Sequence, residues 1–298
     1  MFQAKKENKK RLSKFVALLL SLMLVASTAL ALGACNGTAQ TDSNNETEAT
    51  EVGLETVELQ IFAANSLEKA LPEVQALYTA LYPHVTFKDT QFKGSGDLVT
   101  ELQGGAPADI LITASTSTMN TAVDNGSIDE ATRTDMFVNE LIVIKQEGSN
   151  VNVTSLADVN SDAITKVAIG DADAVPAGAY ANQSLFTVGL YSDESGKGGT
   201  YTEGFDGKVI IQSSVGNVAK TVATGDVQIG FVYSSDLYRY DGIEQLFVVP
   251  SDTHKAIVYP GAVVMGSANA DEATKFLDFC LNDPDALKVW AQYGFELI

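Results

Sequence analysis

The sequence predicts an α/β protein with mostly parallel sheets, and three observations lead there. Strand-like and helix-like segments alternate along most of the chain. Segments such as 109–113 and 230–233 are short apolar runs of the kind buried inside a sheet. The turns from strand to helix carry Asn, Ser, Gly and Pro, the residues that begin helices.

Taken in order, 57–62 reads as a strand, and 67–81 carries apolar residues at helical spacing. Residues 85–88 read as a strand, 97–103 as a short helix, and 109–113 as a buried strand bounded by Pro107. A helix is expected over 119–125, ending at Gly126, and strands over 141–144 and 166–169. The segment 177–189 reads as a helix, 207–211 as a strand, 218–223 as a helix and 230–233 as a buried strand. A long strand at 259–265 and two helices, 271–281 and 285–293, complete the chain.

The first 34 residues have another character. Lys5, Lys6, Lys9, Lys10, Arg11 and Lys14 precede an uncharged apolar stretch that ends in Leu32-Gly33-Ala34-Cys35. A positive region, an apolar region and a small-residue cleavage site define a secretory signal. The Cys directly after the small residues resembles a bacterial lipoprotein signal, which implies lipidation at Cys35 and removal of residues 1–34. Residues 35–56, with no aromatic residue and no Lys or Arg, are expected to be a flexible linker.

The chain holds 19 Lys and Arg against 38 Asp and Glu. Without residues 1–34 the balance is 13 against 37, a net charge of −24. Nucleic-acid binding needs a basic face and is excluded; attraction to anionic lipid is disfavoured too. With Cys35 lipidated, Cys280 stands alone in an amphipathic helix pattern and reads as a buried apolar residue. His84 and His254 are the only histidines, and no Cys/His cluster has metal-ligand spacing. No cofactor is expected.

In open α/β sheets ligands sit beyond the carboxyl ends of strands, at helix N-termini. Four such turns offer neutral donors. Asn65 is placed to cap the first helix with Glu68 as its capping-box partner, leaving Ser66 at the first helical position. Ser95 stands between Gly94 and Gly96, which let the backbone approach a ligand. Pro176 at a helix start leaves the amides of Ala177 and Gly178 free. Asn217 is a good N-cap, which would leave the Val218 amide unpaired. Any one of these is ordinary helix capping; four together describe a cage of donors suited to an anion.

With those residues in view, the chain resembles the periplasmic molybdate-binding proteins of ABC importers. The motifs are Phe62-Ala-Ala-Asn-Ser-Leu67, Gly105-Ala-Pro-Ala-Asp-Ile-Leu-Ile112, Val175-Pro-Ala-Gly-Ala-Tyr180, Ile229-Gly-Phe-Val-Tyr-Ser-Ser-Asp236, Tyr259-Pro-Gly-Ala-Val263 and Tyr293-Gly-Phe295. The resemblance implies a type II periplasmic-binding-protein fold, with two lobes and a hinge of crossing strands. Lobe 1 is expected over 57–140 plus 262–298, and lobe 2 over 141–261. It implies a tetrahedral dianion, molybdate or tungstate, held by Ser66, Ser95, the amides of Ala177 and Val218, and the hydroxyl of Tyr233. Asn65, Gly94 and Gly96 are secondary candidates. Metal would enter only as the oxyanion. The implied partner is a membrane ABC permease, and the implied setting is a lipid-anchored monomer on the outer face of the cytoplasmic membrane.

Two positions depart from the family pattern. Asn65 replaces a small residue, and Gly94, Gly96 and Asp97 replace a loop rich in Ser or Thr. Asp97 facing the cleft would repel a dianion, whereas at a helix start the dipole favours it. Phosphate near neutral pH carries a proton that a donor-only site leaves unpaired. A binder of the same fold for sulfate, phosphate or an organic acid is the alternative. A carboxylate ligand would favour an Arg in the cleft, but neither Arg133 nor Arg239 lies on one of the four turns. A secreted enzyme is disfavoured: no Ser stands in a Gly-x-Ser-x-Gly context, and the two His lack a triad setting. A purely adhesive surface lipoprotein is the remaining reading.

Overall fold

The computed structural model describes residues 55–298. The segment 1–54, with Cys35, the signal and most of the linker, lies outside the described residues. Strands β1 (Val57–Leu59) and β2 (Ile61–Ala64) lead through a 3-10 turn, Asn65–Leu67, into helix α1 (Ala70–Leu81). Strands β3 (Val85–Phe87) and β4 (Gln91–Lys93) precede α2 (Ser95–Gln103), and β5 (Ile110–Ile112) precedes α3 (Thr116–Asp124). Strands β6 (Thr134–Asn139) and β7 (Leu141–Gln146) follow. Then β8 (Val167–Gly170) leads to α4 (Pro176–Thr187), β9 (Val209–Gln212) to α5 (Val215–Ala223), and β10 (Ile229–Tyr233) to a 3-10 stretch, Ser234–Tyr238. Strands β11 (Ile243–Val248) and β12 (Ile257–Val263), helices α6 (Ala270–Asn282) and α7 (Pro284–Gln292), and strand β13 (Glu296–Leu297) complete the fold.

Two sheets define two lobes. The first runs β13-β6-β12-β5-β2-β4 and the second β11-β7-β10-β8-β9. The sheets are mixed rather than mostly parallel. Strands β4, β2 and β5 are parallel, as are β10, β8 and β9. The other pairings within these two sheets are antiparallel. Each parallel half has its own physical signature. Strands β2, β5, β8 and β10 are buried along their whole length, as strands covered on both faces must be. Edge strands β4 and β9 are half-exposed.

The chain crosses between lobes twice. Only Glu140 separates β6 in the first sheet from β7 in the second. The return lies between Val248 and Ile257, and Ile257 pairs with Asn139 beside the outward crossing. Strand β12 therefore belongs wholly to the first sheet, so the chain is back in lobe 1 before the boundary expected at residue 261.

The C-terminal helices close the first lobe. Trp290 is fully buried, stacks near Phe137 of β6 with ring centroids 4.4 Å apart, and donates its indole N–H to the Cys280 carbonyl at 2.9 Å. Cys280 has no exposure, and burial pushes its thiol pKa up, so it behaves as the apolar residue its helix pattern implied. Strands β4, β6, β11 and β13 were not anticipated from the sequence: Gln91-Phe-Lys93 has one apolar residue, and the apolar run of β6, Met136-Phe-Val138, is short and flanked by polar residues.

Candidate functional site

The two parallel half-sheets aim their carboxyl ends at one pocket. Its walls include Ala64 at the end of β2 with Asn65 and Ser66 after it, Lys93 at the end of β4 with Gly94 and Ser95 after it, Val175 and Pro176 at the start of α4, Val215 at the start of α5, and Tyr233 at the end of β10. The sequence expectation thus converges for Asn65, Ser66, Gly94, Ser95 and Tyr233. Ala177 follows Pro176 directly and is buried at 1% exposure.

The hydroxyls of Ser66, Ser95 and Tyr233 are each able to donate into the pocket. Ser95 Oγ accepts the Ala114 amide at 3.0 Å, which leaves its own proton for another acceptor. Ser66 Oγ lies 2.9 Å from the Tyr259 hydroxyl, where either can donate. When Tyr259 donates, the Ser66 proton turns to the pocket. Tyr233 is the most telling. Its hydroxyl is buried and makes no hydrogen bond in the protein. Burial raises its pKa well above the usual phenol value, helped by the neighbouring Tyr259, so it stays a neutral donor. A buried hydroxyl left without a partner costs about 1–3 kcal/mol.

Backbone amides at or next to the pocket add further donors. Ser66, Ser95, Ala177 and Val215 sit in first turns, where an amide has no acceptor in its own helix. The start of α4 is pressed onto β8 because Gly178 has no side chain: a Cβ there would lie 2.0 Å from the Gly170 carbonyl oxygen. Helix dipoles add positive potential at the same place.

Four expectations change. The Gly178 amide is not free, since it donates to the Val175 carbonyl at 2.9 Å. Helix α5 begins at Val215, capped by Ser214, whose side chain accepts the Asn217 amide. Val218 is therefore a turn further on, and its amide is engaged by the Ser214 carbonyl at 3.2 Å. The residue of α5 at the pocket is Val215, which the sequence reading missed because Ser214 and Asn217 are both good caps. Asn65 does not cap its turn either. Its Oδ1 accepts the Gly216 amide at 3.1 Å and a nitrogen of Arg239 at 3.3 Å. Glu68, expected to complete a capping box, instead pairs with Arg239 at 3.0 Å. Local propensity lost here to partners more than a hundred residues away.

Two charged groups lie at the start of α2. Asp97 does not line the pocket; its carboxylate lies back over Gly94, where the dipole favours it. Lys93 does line the pocket, and its ammonium is ion-paired with Glu101. Arg239, set aside by the sequence reading, is buried beside the pocket against Asp236. Asp236 also accepts the Tyr233 amide at 3.0 Å, which fixes the end of β10. Burial holds the Asp236 pKa above the usual carboxylate range in spite of Arg239. No group of His, Cys, Asp and Glu able to hold a metal ion occurs among the described residues.

The lobes meet on two seams beside the pocket. On one, the Gly96 amide donates to the Ala174 carbonyl at 2.9 Å. A Cβ on Gly94 would lie 2.7 Å from the Ala174 oxygen, and one on Gly96 2.5 Å from the Asp173 oxygen. On the other, Asn65 and Glu68 meet Gly216 and Arg239.

Residues 59–296 match the family described as bacterial extracellular solute-binding protein. The chain belongs to this family. Among its relatives is YvgL of Bacillus subtilis (strain 168), named as an ABC transporter substrate-binding lipoprotein. It is 30% identical over 286 residues, 96% of this chain and 98% of the relative. The molybdate-binding protein ModA of Escherichia coli (strain K12) is 30% identical over 248 residues, 80% of this chain and 89% of that one. A solved substrate-binding domain of a molybdenum ABC transporter from Clostridium difficile superposes with a TM-score of 0.61 at 29% identity. The match covers 82% of this chain and all of the solved one. The fold is thus the two-lobed periplasmic-binding-protein type that the motifs implied.

Proposed function

We propose that the chain is the extracytoplasmic receptor of an ABC importer for molybdate and tungstate. The anion would be held by the hydroxyls of Ser66, Ser95 and Tyr233 and the amides of Ala177 and Val215. The unpaired, buried hydroxyl of Tyr233 carries this reading, since it has no role until an acceptor enters the pocket. The names of YvgL, ModA and the Clostridium difficile domain support the transport setting and the ligand.

The donor set also selects the ligand. Asn65 Oδ1 is the one side-chain carbonyl oxygen among the pocket residues, and it is already occupied by Gly216 and Arg239. Phosphate carries a proton near neutral pH, and that proton could be accepted only by a hydroxyl oxygen, at the cost of crowding a group needed as a donor. Molybdate, tungstate and sulfate carry none. Each oxygen of the dianion loses water on entry and regains charge-assisted bonds to N–H and O–H donors. Closure of the lobes would present a surface for the permease, and the chain would act as a monomer without catalysis. A lipid at Cys35 on the linker would keep the receptor within reach of that permease and raise its effective concentration.

Calorimetric titration with molybdate, tungstate, sulfate and phosphate tests the reading. Heat is expected with the first two and none with phosphate. Absence of binding to molybdate and tungstate would overturn it. Mass spectrometry of the mature N-terminus tests the anchor, and an unmodified Cys35 would reject it.

A further inference from the structure

We propose that Arg239 is a closure latch, a positioning residue that locks the two anion-facing helix starts together across the cleft. The inference rests on the anion-receptor reading for its ligand, but its geometry stands by itself. Arg239 belongs to lobe 2, just after the 3-10 stretch that follows β10, and its side chain is 1% exposed. Asp236, with no exposure, pairs with one of its nitrogens from within the same lobe. The other terminal nitrogen reaches into lobe 1. It donates to Asn65 Oδ1 at 3.3 Å and to Glu68 Oε2 at 3.0 Å, and to the Tyr240 hydroxyl at 3.0 Å. The same Asn65 oxygen accepts the Gly216 amide at 3.1 Å.

One guanidinium and one amide oxygen thus join the turn that carries Ser66 to the helix start that carries Val215. Parting the lobes would strip Arg239 of Asn65 and Glu68 while leaving it Asp236. That is the arrangement of a latch: one partner held permanently, another met only on closure. Arginine suits the task because its planar fork serves partners on two sides at once, which a Lys ammonium on a single point charge does less well. The glycine at 216 fits the same purpose, since a Cβ there would lie 2.3 Å from the Tyr240 hydroxyl and 2.7 Å from Asn65 Oδ1.

The latch has a signature that simple electrostatics lacks. The cluster holds one cation and two carboxylates, Glu68 and Asp236. If the cluster acted on the anion only through its field, removing the Glu68 carboxylate would tighten binding. If it acts as a latch, removing Glu68 weakens binding, because closure is less favourable. The two readings predict opposite signs.

The cut is best made at Glu68, whose side chain is 44% exposed, because removing Arg239 would strand the buried Asp236 charge. The test compares wild type, Glu68→Ala and Glu68→Gln. Glu68→Ala is expected to weaken molybdate binding about tenfold, chiefly through faster dissociation in a radiolabelled-molybdate chase. Glu68→Gln, which keeps an acceptor oxygen, should fall between. The melting temperature of the ligand-free proteins should stay alike. Small-angle scattering without ligand reads closure independently of the anion, and Glu68→Ala should be the more expanded. Unchanged or tighter binding by Glu68→Ala, or scattering equal to wild type, would overturn the latch. Expansion of Glu68→Ala in a protein whose wild type ignores molybdate would keep the latch and reject the ligand.

Discussion

The two seams that flank the pocket close by different means. At Gly94 and Gly96 the lobes meet backbone to backbone, with Asp173 and Ala174 so near that no Cβ fits. At Asn65 and Glu68 they meet through side chains, with Arg239 as the bridge. The backbone seam acts as a steric gauge, since the atoms a Cβ would meet there are main chain and yield less than side-chain ends. The side-chain seam is adjustable, since the ends of Arg239, Glu68 and Tyr240 can move. The first seam therefore sets the size of the closed pocket, and the second sets how long it stays shut.

The largest effect should come from the gauge. In Gly96→Ala the new methyl meets a main-chain oxygen, and the penalty should reach about 3 kcal/mol, the upper part of the usual overpacking range. That is more than a hundredfold in Kd for molybdate by calorimetry. The melting temperature without ligand should hardly change, because the ligand-free lobes can part to give the methyl room. A matching loss of stability would show that Gly96 serves folding rather than closure.

Next in size is Tyr233→Phe. Loss of a hydrogen bond to a charged group costs about 1.5–3 kcal/mol, roughly ten- to a hundredfold in affinity. The ligand-free protein should melt at the same temperature or higher, since an unpaired buried hydroxyl has been removed. Lower stability together with unchanged affinity would remove Tyr233 from the site.

Gly216→Ala sharpens the comparison between seams. Its Cβ collides with the Tyr240 hydroxyl and Asn65 Oδ1, both side-chain ends that can shift. The expected loss is about 1–2 kcal/mol, distinctly less than for Gly96→Ala. Equal losses would erase the distinction between the seams.

The smallest effect concerns pH. Burial raises the pKa of Tyr180, Tyr233 and Tyr259 in the folded chain. Their stabilising contribution is complete below the unfolded phenol value of about 10 and declines as pH rises above it, because only the unfolded chain then ionises. Molybdate affinity should accordingly stay level between about pH 7 and 9, while the melting temperature falls above about pH 10. A drop in affinity within the lower range would mean that a titrating group touches the ligand.

Much of this was legible in the sequence where the signal was local. Ser66 and Ser95 are polar residues at strand-to-helix turns, and the parallel strands are continuous apolar runs. Tyr233 came through the family motif, since a Tyr ending a buried strand is otherwise an ordinary core residue. What escaped was settled by long-range contact. Ser214 and Asn217 compete as caps within one turn, and nothing local favours Val215 over Val218. Arg239 lies after a 3-10 stretch instead of at a helix start, so no turn rule points to it. Asn65 and Glu68 have the spacing of a capping box, yet each takes a partner from the other lobe. The parallel content of the sheets was overestimated because helical connections were legible while the antiparallel strands β6, β11 and β13 were not.

The donor cage itself is tested most directly by the anomalous scattering of molybdenum in crystals grown with molybdate. The account predicts one strong peak between the lobes, its oxygens within hydrogen-bonding reach of the Ser66, Ser95 and Tyr233 hydroxyls and the Ala177 and Val215 amides. A peak elsewhere, or one whose oxygens are held by Lys93 or Arg239 in place of those neutral donors, would contradict it.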